Sequence, residues 1–198
     1  MRNLIDIIQD KNAQGIPVYV MPVGLPASGK SSFYKELASR IDIQLLGFDA
    51  ITEEFQKANN LSYGEAYEQM PLEEKTKRFE TRRDSLIADS HNIYPDLTNL
   101  SGATRGDVLR DLPQYFHIGI FFPINEDESK IRCQQRQAQT GKHVPEDVIE
   151  MMASNMNKPR PIEFDMLFQY NEGQLTLMSN HDHNTQTPAA TGIEAPAL

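Results

Sequence analysis

One short stretch constrains this chain more than any other: the eight residues from Gly24 to Ser31, with the sequence GLPASGKS. An apolar, β-branched run at residues 18–23 precedes it, and a segment typical of a helix follows from Ser32. The spacing is G-x-x-x-x-G-K-[ST], placed between a strand and a helix as this motif requires. We therefore predict a phosphate-binding loop here and, with it, the binding of a nucleoside triphosphate.

The residue types of this loop suit a triphosphate. Gly24 and Gly29 allow the backbone to curl where a side chain would clash. The curled amides and the helix N-terminus direct partial positive charge at phosphate oxygens. Lys30 is expected to reach the β- and γ-phosphates of ATP, and the Ser31 hydroxyl to bind Mg²⁺. The predicted nucleotide-binding residues of the loop are Gly24, Ala27, Ser28, Gly29, Lys30, Ser31 and Ser32.

The charge of the chain limits how it could bind a nucleic acid. Its 198 residues carry a formal net charge of −9, whereas proteins that grip nucleic acid along a broad face are usually basic. Any such contact is therefore expected to be local. The single cysteine, Cys133, suits a reducing cytosol. We find neither a signal peptide nor an apolar stretch as long as a membrane span, and expect a cytoplasmic protein without membrane contact.

Hydrophobic periodicity predicts strands that alternate with helices. The predicted strands are residues 18–23, 43–49, 92–96, 115–122 and 166–170. The predicted helices are residues 3–13, 32–38, 50–58, 63–70, 72–90, 101–112, 125–139 and 145–156. This alternation indicates an α/β fold, with a parallel sheet and helices on both faces. We expect one domain over residues 1–178 and a disordered tail over 179–198, where Asn, Thr, Ala and Pro dominate.

Carboxylates are predicted at the edge of the sheet that binds ligands. In sheets of this kind, ligands bind beyond the carboxyl ends of the strands. Asp49 is predicted at the end of the second strand, and Asp96 and Thr98 follow or end the third. These side chains should therefore lie close to the phosphate-binding loop.

Asp49 is open to three interpretations. A carboxylate at this position can accept the proton of a hydroxyl that attacks the γ-phosphate. It can equally well cap the helix that is predicted to begin at Ala50. It can also bind Mg²⁺ through water. The position in the sequence does not separate the first two.

Arg132 and Arg136 are four residues apart and so share one face of a predicted helix. Glu128 lies on the same face, so spacing alone favours surface ion pairs. The following residues change this assessment, because Gly141 ends the helix and another helix begins four residues later. The resulting hairpin, at about residues 125–156, can close over a triphosphate as a lid. Its arginines can then stabilise charge on the phosphoryl oxygens during transfer.

Lys75, Arg78 and Arg82 form a basic stripe on the long helix predicted at residues 72–90. Such a stripe is usually a solvated helix face. In an acidic chain it is also the best local candidate for contacts with a phosphate backbone. Arg78 and Arg82 are therefore candidates for substrate binding.

The chain resembles the kinase domain of phage-type polynucleotide 5′-hydroxyl kinases, within the wider group of small P-loop kinases. The resemblance covers roughly residues 17–156 and rests on pieces that occur in the family's order. These pieces are Gly24–Ser32, Phe48-Asp49, Asp96–Ser101 with Arg105, Arg132–Arg136, and Val144–Ile149 with Met151 or Met152. The ordered set is typical of kinases and less specific to their substrate.

The resemblance implies a P-loop kinase fold with a helical lid, and a phosphotransferase that uses ATP and Mg²⁺. It implies that Asp49 is the general base for the acceptor hydroxyl. Asp96 and Thr98 would then line the acceptor or metal side. The acceptor would be a nucleic acid or nucleotide, and a phage origin, with action in the infected host cell, is a further expectation.

The remaining roles that the resemblance implies concern the triphosphate. Lys30 and Ser31 would hold the phosphates and the metal. Arg132 and Arg136 would be lid arginines that contact the triphosphate.

Two positions depart from the family's pattern and bear on the acceptor. The family usually has an arginine three residues after the base, which grips a phosphate of the nucleic acid, and here that substrate position is Thr52. The residue before the base is often arginine too, and here it is Phe48. Our first hypothesis remains a kinase of a nucleic acid hydroxyl, most simply a 5′-hydroxyl end.

Two alternatives stay open. The acceptor could be another hydroxyl, such as a hydroxymethyl group on a modified base of phage DNA, or that of a nucleoside or small metabolite. The uncharged Phe48 and Thr52 suit such an acceptor better than a backbone phosphate. The other alternative is a nucleotide-binding switch, which needs no acceptor base, so Asp49 argues against it.

Overall fold

The first predicted strand is present with the predicted bounds, Val18–Val23 (β1), and all six of its residues are buried. The computed structural model describes residues 1–180 of the chain. Within them, the other strands are Gln44–Leu46 (β2), Ile93–Pro95 (β3), Phe116–Phe121 (β4), Met166–Asn171 (β5) and Gln174–Asn180 (β6). The helices are Arg2–Ala13 (α1), Lys30–Ala38 (α2), Phe48–Asn59 (α3), Tyr63–Gln69 (α4), Leu72–Ala88 (α5), Gly102–Arg110 (α6), Glu126–Thr140 (α7) and Glu146–Ser154 (α8).

The six strands form one mostly parallel sheet in the order β2-β3-β1-β4-β5-β6. The first five strands in this order are parallel, and β6 runs antiparallel to β5. The predicted α/β class is confirmed, with an antiparallel edge strand that we did not predict. No helix within residues 1–180 is long and apolar enough to cross a membrane.

The residues of β1 divide the core between the two faces of the sheet. Val18 and Val20 belong to a cluster with α1 and α2, while Tyr19 and Met21 belong to a second cluster with α5 and α6. Successive side chains of a strand point to opposite faces, so a strand covered on both sides is apolar throughout. The buried run that predicts β1 has this cause, and it places the phosphate-binding loop at the carboxyl end of an inner strand.

The second strand is shorter than predicted. It ends at Leu46, and Phe48 and Asp49 lie in the first turn of α3, whose N-cap is Gly47. The Phe48 ring stacks on Phe79 of α5, with ring centroids 4.4 Å apart. This packing explains why an apolar run that resembles a strand continues as a helix. Asp49 therefore neither ends a strand nor caps the helix.

The third strand is also shorter than the predicted residues 92–96. Pro95 is the last residue of β3, where it pairs with Leu46 at the end of β2. A proline cannot donate a hydrogen bond to a neighbouring strand, and at the end of a strand the missing donor costs little. Asp96 follows at once, at the carboxyl edge of the sheet as predicted.

The last strand, β6, extends two residues beyond residue 178, where we predicted the domain to end. A hairpin leads from β5 to β6 through Glu172 and Gly173, which have φ of 48° and 80°. Two central residues with positive φ are typical of a two-residue hairpin turn. Ser179 and Asn180 belong to β6, so the predicted tail does not begin at 179. Its remainder, residues 181–198, lies outside the described residues.

A buried ion pair fastens α6 to the segment before β5. The guanidinium of Arg105 is fully buried, and its Nε donates to Glu163 Oε2 at 2.7 Å. Its Nη1 donates to the carbonyls of Asn99, Leu100 and Asn157. Burial alone would raise the pKa of Glu163, but the hydrogen bond from Arg105 outweighs it and holds the pKa below its ordinary value.

We expect Arg105→Ala to destabilise the domain by about 3–5 kcal/mol, because the buried Glu163 carboxylate loses its buried partner and, within residues 1–180, keeps only the contacts that it accepts from the exposed Arg160. Urea unfolding at neutral pH measures the change. Arg110→Ala is the matched control, since Arg110 lies on the same helix and pairs with Asp107 where both side chains are largely exposed. Equal stability of the two variants would show that the buried pair contributes nothing.

Candidate active site

The phosphate-binding loop depends on its two glycines for different reasons. A Cβ on Gly24 would lie 2.9 Å from the Phe122 carbonyl oxygen and 2.9 Å from Ser28 Oγ, so no side chain fits there. Gly29 has a φ of 100° and is the N-cap of α2, a backbone conformation that glycine adopts at little cost. Gly24 therefore lets the loop approach the end of β4, and Gly29 supplies the left-handed backbone conformation from which α2 begins.

Lys30 is held by the loop itself. Its side chain is buried, and Nζ donates to the carbonyls of Gly24 at 3.0 Å and Leu25 at 2.7 Å, and to Ser28 Oγ at 3.3 Å. Burial lowers the pKa of Lys30 to about 8, although the Asp96 carboxylate opposes this. The ammonium thus stabilises the loop, and a phosphate would offer it a charged partner in place of neutral carbonyls.

Ser31 and Asp96 meet at the edge of the sheet. Ser31 Oγ donates to Asp96 Oδ2 at 3.0 Å and lies 3.3 Å from Oδ1. Burial raises the pKa of Asp96, while the Ser31 hydrogen bond and the Lys30 ammonium act in the opposite direction. Hydroxyl and carboxylate oxygens are the protein ligands that Mg²⁺ accepts, and P-loop proteins use this pair for it. The two side chains therefore fit a Mg²⁺ ion.

A cavity of about 530 Å³ covers the loop. Its walls come from the loop, from α3, from the segment after β3 and from the α7–α8 hairpin. The lining residues are Pro26, Ala27, Ser28, Gly29, Lys30, Ser31, Ser32, Phe48, Asp49, Asp96, Leu97, Thr98, Arg132, Arg136, Val144 and Met152. We name it the loop cavity. Every predicted nucleotide-binding residue except Gly24 lines it.

A second cavity, of about 680 Å³, adjoins the first and is lined by α2, α3, the start of α4 and the end of α7. We name it the side cavity. Lys35, Glu53, Gln56 and Tyr63 are among the residues that line it alone. The residues that line both cavities are Ser31, Asp49, Asp96 and Arg136. The predicted base Asp49, the predicted metal ligand Ser31, Asp96 and the lid arginine Arg136 thus lie at the junction.

Both carboxylate oxygens of Asp49 accept hydrogen bonds. Tyr63 donates its hydroxyl to Oδ1 at 2.9 Å, and Lys142 Nζ donates to Oδ2 at 3.1 Å. Lys142 also donates to Glu53 Oε1 at 2.7 Å. The sequence reasoning missed Tyr63 and Lys142, because they are 14 and 93 residues from Asp49 along the chain. The only sequence signal for Lys142 was its place in the loop of the predicted hairpin.

The hairpin is present as predicted, with α7 capped by Asn125 and ended by Gly141. Buried Ser129 on α7 donates to the carbonyl of Pro26 in the phosphate-binding loop at 2.8 Å. This contact fixes the base of the hairpin to the loop. The predicted lid therefore stands over the loop cavity.

The two lid arginines differ in their contacts. Arg132 pairs with Glu128, as the surface interpretation expected, and its side chain is 47% exposed. Arg136 has a buried Nε without a hydrogen-bond partner among the described residues. A buried guanidinium nitrogen of this kind is costly unless an acceptor reaches it. Arg136 therefore has the clearest capacity to bind an anionic group at the junction of the cavities.

The part of the chain that forms this site is similar to known proteins. The family described as AAA domain matches residues 20–159, more than half of the chain. The chain belongs to this family. A comparison with curated proteins found no match.

Three solved structures show the fold of this AAA domain. A chain of the Pnkp1/Rnl/Hen1 RNA repair complex is 24% identical, with 71% of this chain and 44% of that chain covered and a TM-score of 0.55. A putative kinase from Chloroflexus aurantiacus is 15% identical over 73% and 82%, with a TM-score of 0.52. A structure of the PezAT chromosomal toxin-antitoxin system of Streptococcus pneumoniae is 13% identical over 95% and 85%, with a TM-score of 0.54.

These similarities show the overall fold that this AAA domain shares with the three solved structures. At 24% identity or less they concern the fold alone. The chain spans less than half of the length of the RNA repair protein that it matches. Details of chemistry must therefore come from the residues of the site.

Three predicted substrate residues of the AAA domain lie away from both cavities. Thr52 is buried, and its hydroxyl donates to the Phe48 carbonyl at 2.9 Å, so it is turned into α3. Arg78 and Arg82 line a separate cavity of about 700 Å³ between α3 and α5, where they pair with Glu74 and Glu54. That cavity shares no residue with the other two, so the structure does not bring these arginines to the site.

We expect ATP affinity to fall as pH rises above about 8. The free chain has a Lys30 pKa of about 8, and the negative phosphates raise that pKa in the complex, so binding takes up a proton above this pH. The decline should approach tenfold per pH unit. Titration calorimetry between pH 7.5 and 9.5 measures both the affinity and the proton uptake.

Lys30→Met is the control for this measurement. It should bind ATP weakly at every pH, with no proton uptake, and remain folded. Constant wild-type affinity across the range would contradict the assignment of the titrating group.

Proposed function

We propose that this chain is an ATP-dependent kinase that transfers the γ-phosphate to a hydroxyl of a nucleic acid, most simply the 5′-hydroxyl end of a polynucleotide. The position of Asp49 carries the proposal. It lies where the loop cavity meets the side cavity, beside the loop on one side and open to a second ligand on the other. A switch that only hydrolyses nucleotide needs no second cavity.

The loop cavity suits the triphosphate. Loop amides and the N-terminus of α2 would bind the phosphate oxygens, and Lys30 would exchange its loop carbonyls for them. Arg136, whose Nε has no hydrogen-bond partner within residues 1–180, and Arg132 would stabilise charge on the transferred group. Apolar Val144 and Met152 line the same cavity and suit the flat face of a base.

Ser31 and Asp96 would hold Mg²⁺ between the phosphates and the sheet. The ion, when bound, neutralises charge on the β- and γ-phosphate oxygens. The pair is already assembled by the Ser31 hydrogen bond in this chain, so these ligands need little rearrangement.

Asp49 would act as the general base. The acceptor hydroxyl approaches from the side cavity, its oxygen forms a bond to the γ-phosphorus, and the bond from that phosphorus to the oxygen bridging to the β-phosphate breaks. The acceptor proton passes to the Asp49 carboxylate, and ADP departs. A carboxylate in this role contributes about 10²–10⁴-fold.

Support for a polynucleotide acceptor comes from the side cavity and from the resemblance. The Lys142 ammonium lies 4.7 Å from the centre of the Tyr63 ring, next to Asp49. An aromatic ring beside an ammonium group suits a nucleotide, whose base stacks on rings and whose phosphate pairs with cations. A solved structure with the same fold belongs to a complex described as an RNA repair complex.

One observation favours the alternative acceptor. Thr52 is buried and Phe48 stacks on α5. Neither position of α3 therefore supplies a cation that could bind a backbone phosphate of the acceptor. A hydroxyl on a small metabolite or a modified base, such as a hydroxymethyl group, needs no such cation.

Transfer of label from γ-labelled ATP to a panel of acceptors separates the two kinds of acceptor. The panel contains DNA and RNA with 5′-hydroxyl ends, DNA with hydroxymethylated bases, nucleosides and sugars. If label appears only in free phosphate and in none of the acceptors, the nucleotide-binding switch is the remaining hypothesis.

We expect Asp49→Asn to lower single-turnover transfer by about 10²–10⁴-fold while ATP affinity is retained. Stability should change by less than about 1 kcal/mol, because Asp49 does not cap α3 and its ion pair is partly exposed. Asp107→Asn, an exposed carboxylate on α6, is the control and should behave as wild type. Undiminished transfer by Asp49→Asn would remove the general base from this mechanism.

Arg136→Ala should lower kcat by about 10²-fold or more if its guanidinium contacts charge in the transition state. Arg132→Ala should have a similar effect, because in this mechanism Arg132 leaves its ion pair with Glu128 and contacts the phosphates. Steady-state kinetics at saturating ATP gives both values. Wild-type turnover in both variants would show that the hairpin has no role in catalysis.

A further inference from the structure

The Asp49 carboxylate is held at both ends by side chains from two other parts of the chain. Tyr63, at the start of α4, binds one oxygen, and Lys142, in the loop between α7 and α8, binds the other. A carboxylate has about four lone-pair sites, so two remain for an incoming hydroxyl. The two donors therefore fix the direction of the free lone pairs without using them up.

Both donors keep their protons over the usable pH range. Burial and the Asp49 carboxylate raise the pKa of Tyr63 well above its ordinary value. Burial opposes charge on Lys142, but hydrogen bonds to Glu53 and Asp49 outweigh it and raise the pKa of the ammonium. Tyr63 and Lys142 can therefore both donate hydrogen bonds to Asp49 around neutral pH.

These contacts offer little stability. The side chains of Asp49 and Glu53 are 54% and 44% exposed in their pairs with Lys142. Ion pairs with this exposure contribute at most about 1 kcal/mol. Stability alone therefore does not explain why α4 and the α7–α8 loop both place a donor on the carboxylate of α3.

Lys142 also connects the base with the lid. The helix before it carries Arg132 and Arg136, which line the loop cavity, whereas Lys142 lines the side cavity. One hairpin thus contacts the predicted sites of both substrates. Its loop is tied to α3 through Asp49 and Glu53.

We infer that Tyr63 and Lys142 are positioning residues that orient the Asp49 carboxylate towards the acceptor hydroxyl. The inference rests on the proposed function of Asp49 as the general base. It assigns the lid a part in aligning the base as well as in binding the triphosphate.

Tyr63→Phe and Lys142→Met test this inference, alone and combined with Asp49→Asn. In the wild-type background each should lower kcat about tenfold or more, the effect of losing one hydrogen bond to a charged group. ATP affinity and melting temperature should stay unchanged. In the Asp49→Asn background neither should lower single-turnover transfer further, because no base remains to be oriented. Tyr67→Phe removes a hydroxyl one turn later on α4 and should match wild type in both backgrounds.

The outcomes separate this inference from the proposed function. The same fold-loss in both backgrounds, or a loss confined to ATP affinity or melting temperature, would overturn the positioning role while transfer itself stands. Absence of transfer to every acceptor of the panel by the wild-type chain would instead overturn the proposed function. If transfer by Asp49→Asn is too slow to follow, Asp49→Glu serves as the background. Because the carboxylate in Asp49→Glu is displaced from the two donors, Tyr63→Phe and Lys142→Met should lower transfer less in this background. An equal fold-loss in the Asp49→Glu and wild-type backgrounds would overturn the positioning role.

Discussion

The close approach of the phosphate-binding loop to the end of β4 is the constraint on which the rest of the site depends. Gly24 touches the Phe122 carbonyl with no space for a Cβ, and its amide bonds to the Thr98 carbonyl at 3.1 Å. The loop is thereby fixed to the strands on both sides of β1. Because Lys30 and Ser31 begin the following helix, their positions relative to Asp96 follow from this one contact.

The sheet supplies the rigid half of the site, and helical segments supply the rest. Asp96 follows β3 and touches Ser31 across the sheet edge. Arg136 and Lys142 come from the hairpin at residues 126–154, which is joined to the loop through Ser129. The phosphate-binding loop therefore rests on backbone geometry, whereas the proposed acceptor side rests on side chains that meet across elements distant in sequence.

This division explains what could be predicted from the sequence. The loop, β1 and the hairpin follow from local patterns, namely a motif, a buried strand and a pair of helices with cap residues. Asp49 was placed at the correct edge but in the wrong element, because the stacking of Phe48 on Phe79 is a tertiary contact. The turn at Glu172-Gly173 was a local signal that we overlooked. No local pattern could have joined Tyr63 and Lys142 to Asp49.

The same contacts bear on how the acceptor site differs from the pattern that the resemblance implies. In that pattern α3 provides both the base and a cation for the acceptor phosphate. Here Phe48 and Thr52 are used in the packing of α3, and the cation beside Asp49 is Lys142 of the hairpin. Since Arg136 of the same hairpin reaches the junction with the loop cavity, the two sites share one covering element. In the proposed function, Lys142 would therefore offer the acceptor a cation next to its hydroxyl where the hairpin lies against α3, which would link acceptor binding to the position of the lid.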